Sequence, residues 1–129
     1  MAICKPRSYT LFDLEAPLLL ASKYLSHYGL HDVVRFRRAG DFEGMGNVDV
    51  VISTFSLLEL SPETQEAYFT NLVSRSQLGY VAYNLPQNTP LEVYLKSHGG
   101  FETVLETQPG ICTKIMWRRL QSLEAANSA

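Results

Sequence analysis

The stretch 49–59, DVVISTFSLLE, constrains the fold of this chain more than any other part of the sequence. It opens with a β-branched apolar run at 50–52, which is typical of a strand covered on both faces. Hydroxyl-bearing side chains follow at once, and a helical pattern begins at Pro62. Because open α/β sheets bind ligands at the carboxyl ends of their strands, this stretch is the first candidate for one wall of a site.

The order of secondary-structure elements follows from apolar periodicity and turn-forming residues, which predict β-α-β-β-α-β-α-β-β. The first helix is predicted to begin near Pro17 and to end at Gly29. The second has Ser61 as a candidate N-cap and Pro62 at its first position. A turn at 108–110 joins the last two strands. The sequence therefore predicts an α/β fold with a mainly parallel six-stranded sheet, helices on its faces and a C-terminal antiparallel hairpin.

Length and composition indicate an ordinary globular protein. The 129 residues are 46% hydrophobic and 19% charged, which predicts a single domain. We place that domain at residues 1–120 and expect the polar, alanine-rich residues 121–129 to fray. The longest apolar stretch, at 16–21, is far too short to cross a membrane, and the first residues contain no secretory signal. A cytoplasmic location is therefore predicted.

Neither the charge nor the cysteines of the chain indicate nucleic-acid or metal binding. A net charge of −2 without a basic block argues against a nucleic-acid partner. The two cysteines, Cys4 and Cys112, lie far apart and form no CxxC motif. His27 and His31 are four residues apart, but no acid accompanies them in an H-E-x-x-H pattern. No metal site is predicted.

Four local motifs, in this order and spacing, resemble the class I S-adenosylmethionine-dependent methyltransferases, and among them the sugar O-methyltransferases. The stretch 9–14, YTLFDL, resembles the second strand of that family, and the GDF at 40–42 resembles the turn after its third strand. The SLLE at 56–59 resembles the S-x-x-E element after the fourth strand, and the GYVAYN at 79–84 resembles the fifth strand. The similarity runs from about Ser8 to Leu120 and implies S-adenosylmethionine as the cofactor.

The resemblance implies roles for three residues at the adenosine end of the cofactor. Asp13 would accept hydrogen bonds from the ribose hydroxyls, a task that suits a carboxylate. Asp41 would face the adenine amino group, and Phe42 would pack on the adenine ring. Each has a structural alternative: Asp13 could cap the helix near Pro17, Asp41 could be a turn residue beside glycines, and Phe42 could be part of the core.

Further residues receive roles nearer the reaction. The resemblance assigns Ser53, Thr54 and Phe55 to the methionine part of the cofactor, Ser56 and Asn84 to the acceptor substrate, and Glu59 as the candidate catalytic residue. Two structural alternatives stay open here. Glu59 could form a surface ion pair, and the hydroxyl of Ser56 could satisfy loop backbone.

One part of the family pattern has no counterpart in this sequence. The family begins with a strand that runs into a G-x-G turn and a helix, which bring backbone close to the cofactor. The G-x-G at Gly44-Met45-Gly46 instead precedes a strand. We therefore expect the isolated chain to bind S-adenosylmethionine weakly or not at all and to be inactive. Two alternatives stay open: an active O-methyltransferase completed by a partner chain, and a non-catalytic binding or protein-interaction module.

Loss of that strand also has consequences for the sheet. The simplest repair pairs the first strand of this chain with the third, which gives the order 2-1-3-4-6-5. In that arrangement Val50, Val51 and Ile52 are fully buried at the centre of the sheet, and a pocket lies between the strands that end at Asp13 and Thr54.

Association with a homodimeric or other partner chain is also expected. A missing helix would uncover apolar helix surface, which a second copy would cover. Exchange of the N-terminal strand with Ile3 and Cys4, or repacking within one chain, are the alternatives. The helix residues expected to lose a neighbour are Leu18, Leu19, Leu25, Tyr68, Phe69 and Leu72.

Overall fold

The computed structural model describes residues 6–84 and 89–121. Its elements are β1 Tyr9–Asp13, α1 Glu15–His27, β2 Val34–Arg38, β3 Val48–Thr54, α2 Pro62–Asn71, β4 Ser76–Tyr83, α3 Pro90–His98, β5 Phe101–Gln108 and β6 Cys112–Arg119. The predicted order of elements is confirmed. Ile3 and Cys4, residues 85–88 of the predicted 84–90 loop and residues 122–129 of the predicted tail lie outside the described residues.

The chain divides into two compact units, the first ending at Glu43 and the second beginning at Gly44. In the first unit, β1 and β2 are parallel and pair from Tyr9 to Asp13, with α1 as the connecting helix. The predicted role of Gly29 in terminating that helix is confirmed, since Gly29 follows the last helical residue, His27, and the C-cap Tyr28. Gly29 has a φ of 69°, and the N–H of Leu30 donates to the carbonyl of Leu25 at 2.9 Å, which satisfies the last turn.

The second unit is a four-stranded sheet in the order β3-β4-β6-β5. β3 and β4 are parallel, while β6 is antiparallel to both of its neighbours. Helix α2 begins as predicted, because the Oγ of Ser61 accepts from the N–H of Thr64 at 3.3 Å and Pro62 occupies the first position. Helix α3 begins with a capping box between Thr89 and Glu92.

The core of the second unit lies on one face of its sheet. Trp117 of β6 is 3% exposed, and its indole Nε1 donates to the Oγ of Ser76 at 2.8 Å. The ring lies over Gly79 of β4, where an added Cβ would come within 1.9 Å of the Trp117 side chain. The remaining large side chains of this core come from β4, β6 and the helices, and they include Val81, Ile115, Phe69, Leu91 and Leu95.

The predicted single six-stranded sheet is wrong. The pairings 2-1 and 3-4-6-5 are both present, but they form two separate sheets of two and four strands. Among the described residues no ladder joins β1 to β3, so the pairing expected to close the gap between them does not form. Three of the four pairings join strands that follow each other along the chain, through α1, α2 or the hairpin. The fourth joins β4 to β6, with α3 and β5 between them in sequence.

The predicted burial of the 50–52 run is also wrong. Val50 is 48% exposed, Ile52 is 62% exposed and Val51 is half-buried. Among the described residues β3 is also the edge strand of its sheet and not a central one. Its β-branched residues are typical of a strand covered on both faces, but the face that carries Val50 and Ile52 is uncovered.

The helix residues expected to be uncovered are mostly buried. Leu18, Tyr68, Phe69 and Leu72 are buried within the chain, whereas Leu19 is 61% exposed. These four residues are therefore not available to a second copy. Within the described part of the chain, no helix is both long and apolar enough to cross a membrane.

We predict that Gly79→Ala destabilises the second unit by about 1–3 kcal/mol, because the new methyl group overlaps the Trp117 ring. Urea unfolding followed by tryptophan fluorescence measures the change. Gly46→Ala is the matched control, since a Cβ at Gly46 meets nothing within 4 Å and its backbone is not left-handed. Equal stability of the two variants would contradict the account of this core.

Candidate functional site

In the first unit, the candidate residues gather where β1 and β2 end. Asp13, the last residue of β1, pairs with Arg38, the last residue of β2, so both carboxyl ends lie at the same end of this sheet. The Oδ1 of Asp13 accepts from the N–H of Leu14 at 2.8 Å, and the side chain is exposed. Asp13 is not the cap of α1, because the N-cap is Leu14 and no side chain caps that helix. The capping alternative is therefore wrong, and the carboxylate faces solvent.

Asp41 and Phe42 follow the carboxyl end of β2. The Oδ1 of Asp41 accepts from the N–H of Glu43 at 3.2 Å and lies 3.7 Å from the Nη1 of Arg37. These contacts favour the alternative in which Asp41 stabilises a turn. The half-buried ring of Phe42 packs on Phe12, with 5.5 Å between ring centroids. That contact favours a core role for Phe42.

In the second unit, Ser53 organises the chain after β3. Its Oγ accepts from the N–H of Leu57 at 3.1 Å and lies 3.0 Å from the Oγ of Ser56. Leu57 is 6% exposed and opens the short 3-10 turn Leu57–Glu59. The hydroxyl of Ser53 therefore holds the polar segment against the core and also contacts that of Ser56.

Phe55 has the least common backbone conformation in the described part of the chain. Its φ is 53°, and the other described residues with positive φ are glycines. The N–H of Phe55 donates to the carbonyl of Ala82 at 2.8 Å, so the ladder with β4 continues while the chain turns. The ring is 45% exposed. A bulky residue in this conformation stores strain, which occurs preferentially at functional sites.

Glu59 and Asn84 are the remaining candidate residues beyond the carboxyl ends of β3 and β4. Because Thr54 pairs with Ala82 in the parallel β3–β4 ladder, the segments that follow both strands emerge at the same end of the sheet. Glu59 ends the 3-10 turn and is exposed, and the described residues offer it no ion pair. Asn84 directly follows Tyr83 and is also exposed. Both side chains can therefore reach a ligand at this end.

Tyr83 was not a candidate from the sequence, yet it is the most unusual polar group here. It is 2% exposed, and its hydroxyl has no hydrogen-bond partner at normal distance in the described structure. Burial raises the pKa of this hydroxyl, and the nearby Glu92 carboxylate raises it further, against an opposing effect of Thr89. In the sequence Tyr83 has only the pattern of a strand residue, so no signal marked it.

A cavity of about 390 Å³ lies elsewhere in the second unit, against α2 and α3. The ring of His98 stacks on Tyr94 with 3.9 Å between centroids, and the helical spacing of these two aromatic residues was the available sequence signal. No sequence-predicted site residue lines the cavity. Its walls are Glu66, Pro90, Val93, Tyr94, Ser97 and His98.

The first unit offers carboxylates, and the second offers hydroxyls, one carboxylate and the exposed ring of Phe55, all of which suit a ligand rich in hydrogen-bonding groups. Within residues 6–84 and 89–121, no group of three or more His, Cys, Asp or Glu side chains could hold a metal ion. Cys112, at the start of β6, is a free thiol. The carboxylates and hydroxyls can accept and donate hydrogen bonds, and Glu59 can accept a proton from a bound hydroxyl.

Comparison with known proteins gives matches at the level of structure. A scan against models of protein families finds no match, and a search of curated proteins finds none either. A Streptococcus pneumoniae protein, solved in complex with S-adenosyl-L-methionine, matches 90% of this chain at 17% identity, with a TM-score of 0.59. The tRNA methyltransferase TrmK of B. subtilis matches 95% of the chain at 13% identity, also with a TM-score of 0.59.

An O-methyltransferase family protein from Burkholderia thailandensis matches 89% of the chain at 17% identity, with a TM-score of 0.61. The chain covers 56%, 53% and 44% of the S. pneumoniae, B. subtilis and B. thailandensis chains, so it spans about half their length. The chain has a class I S-adenosylmethionine-dependent methyltransferase-like fold, as its sequence motifs predicted.

We predict that Ser53→Ala loosens the segment after β3. The substitution removes the acceptor of the Leu57 N–H, which should lower stability by about 1 kcal/mol and speed exchange of that amide. Hydrogen exchange measured by NMR reports both effects. Ser56→Ala is the comparison, because it removes a hydroxyl but leaves the bond from Leu57 to Ser53 in place. Unchanged exchange at Leu57 in Ser53→Ala would contradict the proposed role of Ser53.

We predict that Tyr83→Phe leaves stability unchanged or raises it by up to about 1 kcal/mol at pH 7, because its hydroxyl has no partner at normal hydrogen-bond distance among the described residues. Since the folded pKa lies above the unfolded one, the Tyr83 contribution is constant below about pH 10 and destabilises the fold above it. The variant should therefore lose less stability than the parent chain as the pH rises above about 10. A marked loss at pH 7, measured by urea unfolding, would show that the hydroxyl has a partner.

Proposed function

We propose that this chain carries cofactor-contacting and acceptor-contacting residues of an S-adenosylmethionine-dependent methyltransferase domain, and that in isolation it holds the cofactor only weakly. The observation that carries the proposal is Asp13, whose exposed carboxylate ends β1 of a methyltransferase-like fold without capping the following helix. Solved relatives of this fold contain S-adenosyl-L-methionine or SAH.

The residues of the first unit fit the adenosine part of such a cofactor. Asp13 ends β1 and Asp41 follows β2. Both carboxylates therefore lie beyond the carboxyl ends of the strands, where open α/β sheets bind ligands. The Asp13 carboxylate accepts one hydrogen bond from backbone and keeps acceptor capacity for two vicinal hydroxyls. Asp41 is occupied in part by Arg37 and by its own turn, so we assign it the weaker contact.

The residues of the second unit supply the end where the reaction would take place. We assign Ser53, Thr54 and Phe55 to the methionine part, in agreement with the strained backbone at Phe55. In the described residues no G-x-G turn links a strand to a following helix, since Gly44 and Gly46 precede β3. The backbone donors of such a turn are therefore not supplied here, which supports weak binding.

The acceptor we propose is a hydroxyl group, in line with the sequence resemblance to sugar O-methyltransferases. When bound, the cofactor supplies an electrophilic methyl group. Ser56 and Asn84 would orient the acceptor by hydrogen bonds, and Glu59 would take up the proton that the hydroxyl releases. Glu59 suits this role because it is exposed and has no ion-pair partner among the described residues. We place this activity in the cytoplasm.

A second candidate function is a non-catalytic interaction module, favoured by exposed apolar side chains on both units. Leu20 and Tyr24 of α1 are 71% and 63% exposed, and Ile52 of β3 is 62% exposed. Such surface indicates contact with another protein. It fits equally a partner chain that completes a catalytic site, so the two candidates differ in whether cofactor binds at all.

Titration of the ¹⁵N-labelled chain with S-adenosylmethionine tests the proposal by NMR. We expect shifts at the amides of Asp13, Leu14 and Phe55, with a Kd on the order of 1 mM, or about −4 kcal/mol. A Kd in the low micromolar range would overturn the proposal of weak binding. Absence of any shift at millimolar cofactor would overturn the proposed cofactor role and leave the interaction module.

Asp13→Asn should weaken this binding about 10-fold or more, because a hydrogen bond to a charged group contributes about 1.5–3 kcal/mol. Asp32→Asn is the matched control. It removes the same charge from an exposed position of the first unit, where Asp32 lies 3.1 Å from the Nε2 of His31. Equal loss in both variants would mean that net charge, and not the ribose contact, controls binding.

A further inference from the structure

The open edge of β3 lacks the features that usually protect a free strand edge. β3 pairs with β4 on one side and has no partner strand on the other among the described residues. Its sequence, VDVVIST, contains no proline, glycine or lysine, and its one charge is Asp49. Natural proteins usually blunt free edges with such residues, because an unblunted edge pairs with another strand.

The other edge of the same sheet differs. β5, with the sequence FETVLETQ, carries the exposed acids Glu102 and Glu106, and Arg118 of β6 forms an ion pair with Glu102. Charged side chains of this kind prevent pairing between edges. The contrast between β5 and β3 leaves β3 as the edge of this sheet that can more readily pair with another strand.

The backbone groups available at this edge follow from the β3–β4 ladder. The N–H of Phe55 donates to Ala82 of β4, and N–H groups alternate sides along a strand. The N–H groups of Ser53 and Val51 therefore also face β4. Those of the even-numbered residues, Val48, Val50, Ile52 and Thr54, face the open edge.

One side of the sheet next to this edge is apolar and uncovered. Ladder partners share a face, so Val50 and Ile52 of β3 lie beside Leu78 and Tyr80 of β4. Val50, Ile52 and Leu78 are 48%, 62% and 46% exposed. A strand that pairs with β3 would extend this face and cover part of it.

We propose that the occupant of the β3 edge is β3 of a second copy of this chain, paired antiparallel with Val51 opposite Val51 of the other copy. Val51 is the midpoint of Val48–Thr54, so this register pairs the whole strand with itself. It sets Val50 opposite Ile52 and Asp49 opposite the uncharged Ser53. A register that brings the two Asp49 side chains together is disfavoured by repulsion.

The symmetry of this contact agrees with the backbone. Val50 and Ile52 both direct their N–H groups to the open edge, so they form hydrogen-bonded pairs across the twofold axis, while Val51 forms the close non-hydrogen-bonded pair. The axis is perpendicular to the sheet, which places both uncovered apolar faces on the same side. The two four-stranded sheets become one continuous sheet by an isologous contact.

The inference goes beyond cofactor binding and does not depend on it. A single strand pair buries less surface than a standard protein interface, so we expect a dimer that dissociates in the micromolar range. Sedimentation equilibrium over that range should show a mass rising from 14.5 kDa towards twice that value. A single 14.5 kDa species at all concentrations would overturn the proposal.

A disulfide experiment tests the register. In a background with Cys4→Ser and Cys112→Ser, Val51→Cys should form an intermolecular disulfide on mild oxidation, since the two Cα atoms would lie about 4.5 Å apart. Asp49→Cys is the matched control on the same strand and should not crosslink to itself. Crosslinking of Asp49→Cys without that of Val51→Cys would overturn the register.

A proline experiment tests the edge. Ile52→Pro removes an N–H that faces the open edge and leaves the β3–β4 ladder intact, so dimerisation should weaken at least 10-fold. Ile52→Val keeps the N–H and should dimerise like the parent chain. If Ile52→Pro fails to fold by circular dichroism, Val50→Lys, which introduces a charge opposite Ile52, replaces it. A dimer that survives both substitutions uses another surface and would overturn the proposal.

Discussion

The contact between Trp117 and Gly79 holds the second unit together. The indole lies on β4 where any side chain larger than hydrogen would overlap it, and its N–H reaches the Oγ of Ser76. That Oγ in turn donates to the carbonyl of Val73 at 2.7 Å, just before β4 begins. One side chain of β6 therefore fixes the start and the middle of β4. Because β4 is the one strand paired with β3 in the described part of the chain, the candidate residues after β3 depend on the same contact.

The same arrangement explains why one end of this sheet carries the candidate site. β4 has partners on both sides, and its parallel pairing with β3 brings the segments after both strands to one end. Ser53 then ties the chain to Leu57, and Phe55 turns it in a strained conformation. The exposed Glu59 and Asn84 lie in the segments that follow. Polar groups at the end of the sheet are thus positioned by an apolar core on its face.

Local sequence rules predicted the elements well, because their signals lie within a few residues. Ser61, Pro62 and Gly29 mark helix ends through hydrogen bonds and φ angles that neighbouring residues determine. The strand run 50–52 was correctly identified as a strand, but its burial was not. Burial depends on which strands flank it, and β-branched residues occur at exposed edges as well as at centres.

The candidate site was predicted in part for the same reason. The motif at 9–14 predicted that Asp13 lies at the carboxyl end of a strand, and in the structure Asp13 is the last residue of β1. The contacts that occupy Asp41 and Phe42, namely Arg37 and Phe12, arise from pairing between strands and have no local signal. Tyr83 could not be found, since a buried hydroxyl with no partner in the described structure is a property of packing and not of local sequence.

The most direct test of this account is hydrogen exchange resolved to single residues along β3, measured at a concentration low enough to keep the chain monomeric. The account predicts alternation: the amides of Val51, Ser53 and Phe55 exchange slowly because they face β4, while those of Val50, Ile52 and Thr54 exchange fast. Uniformly slow exchange from Val50 to Thr54 would show that β3 is a central strand, and would contradict the edge position on which the account depends.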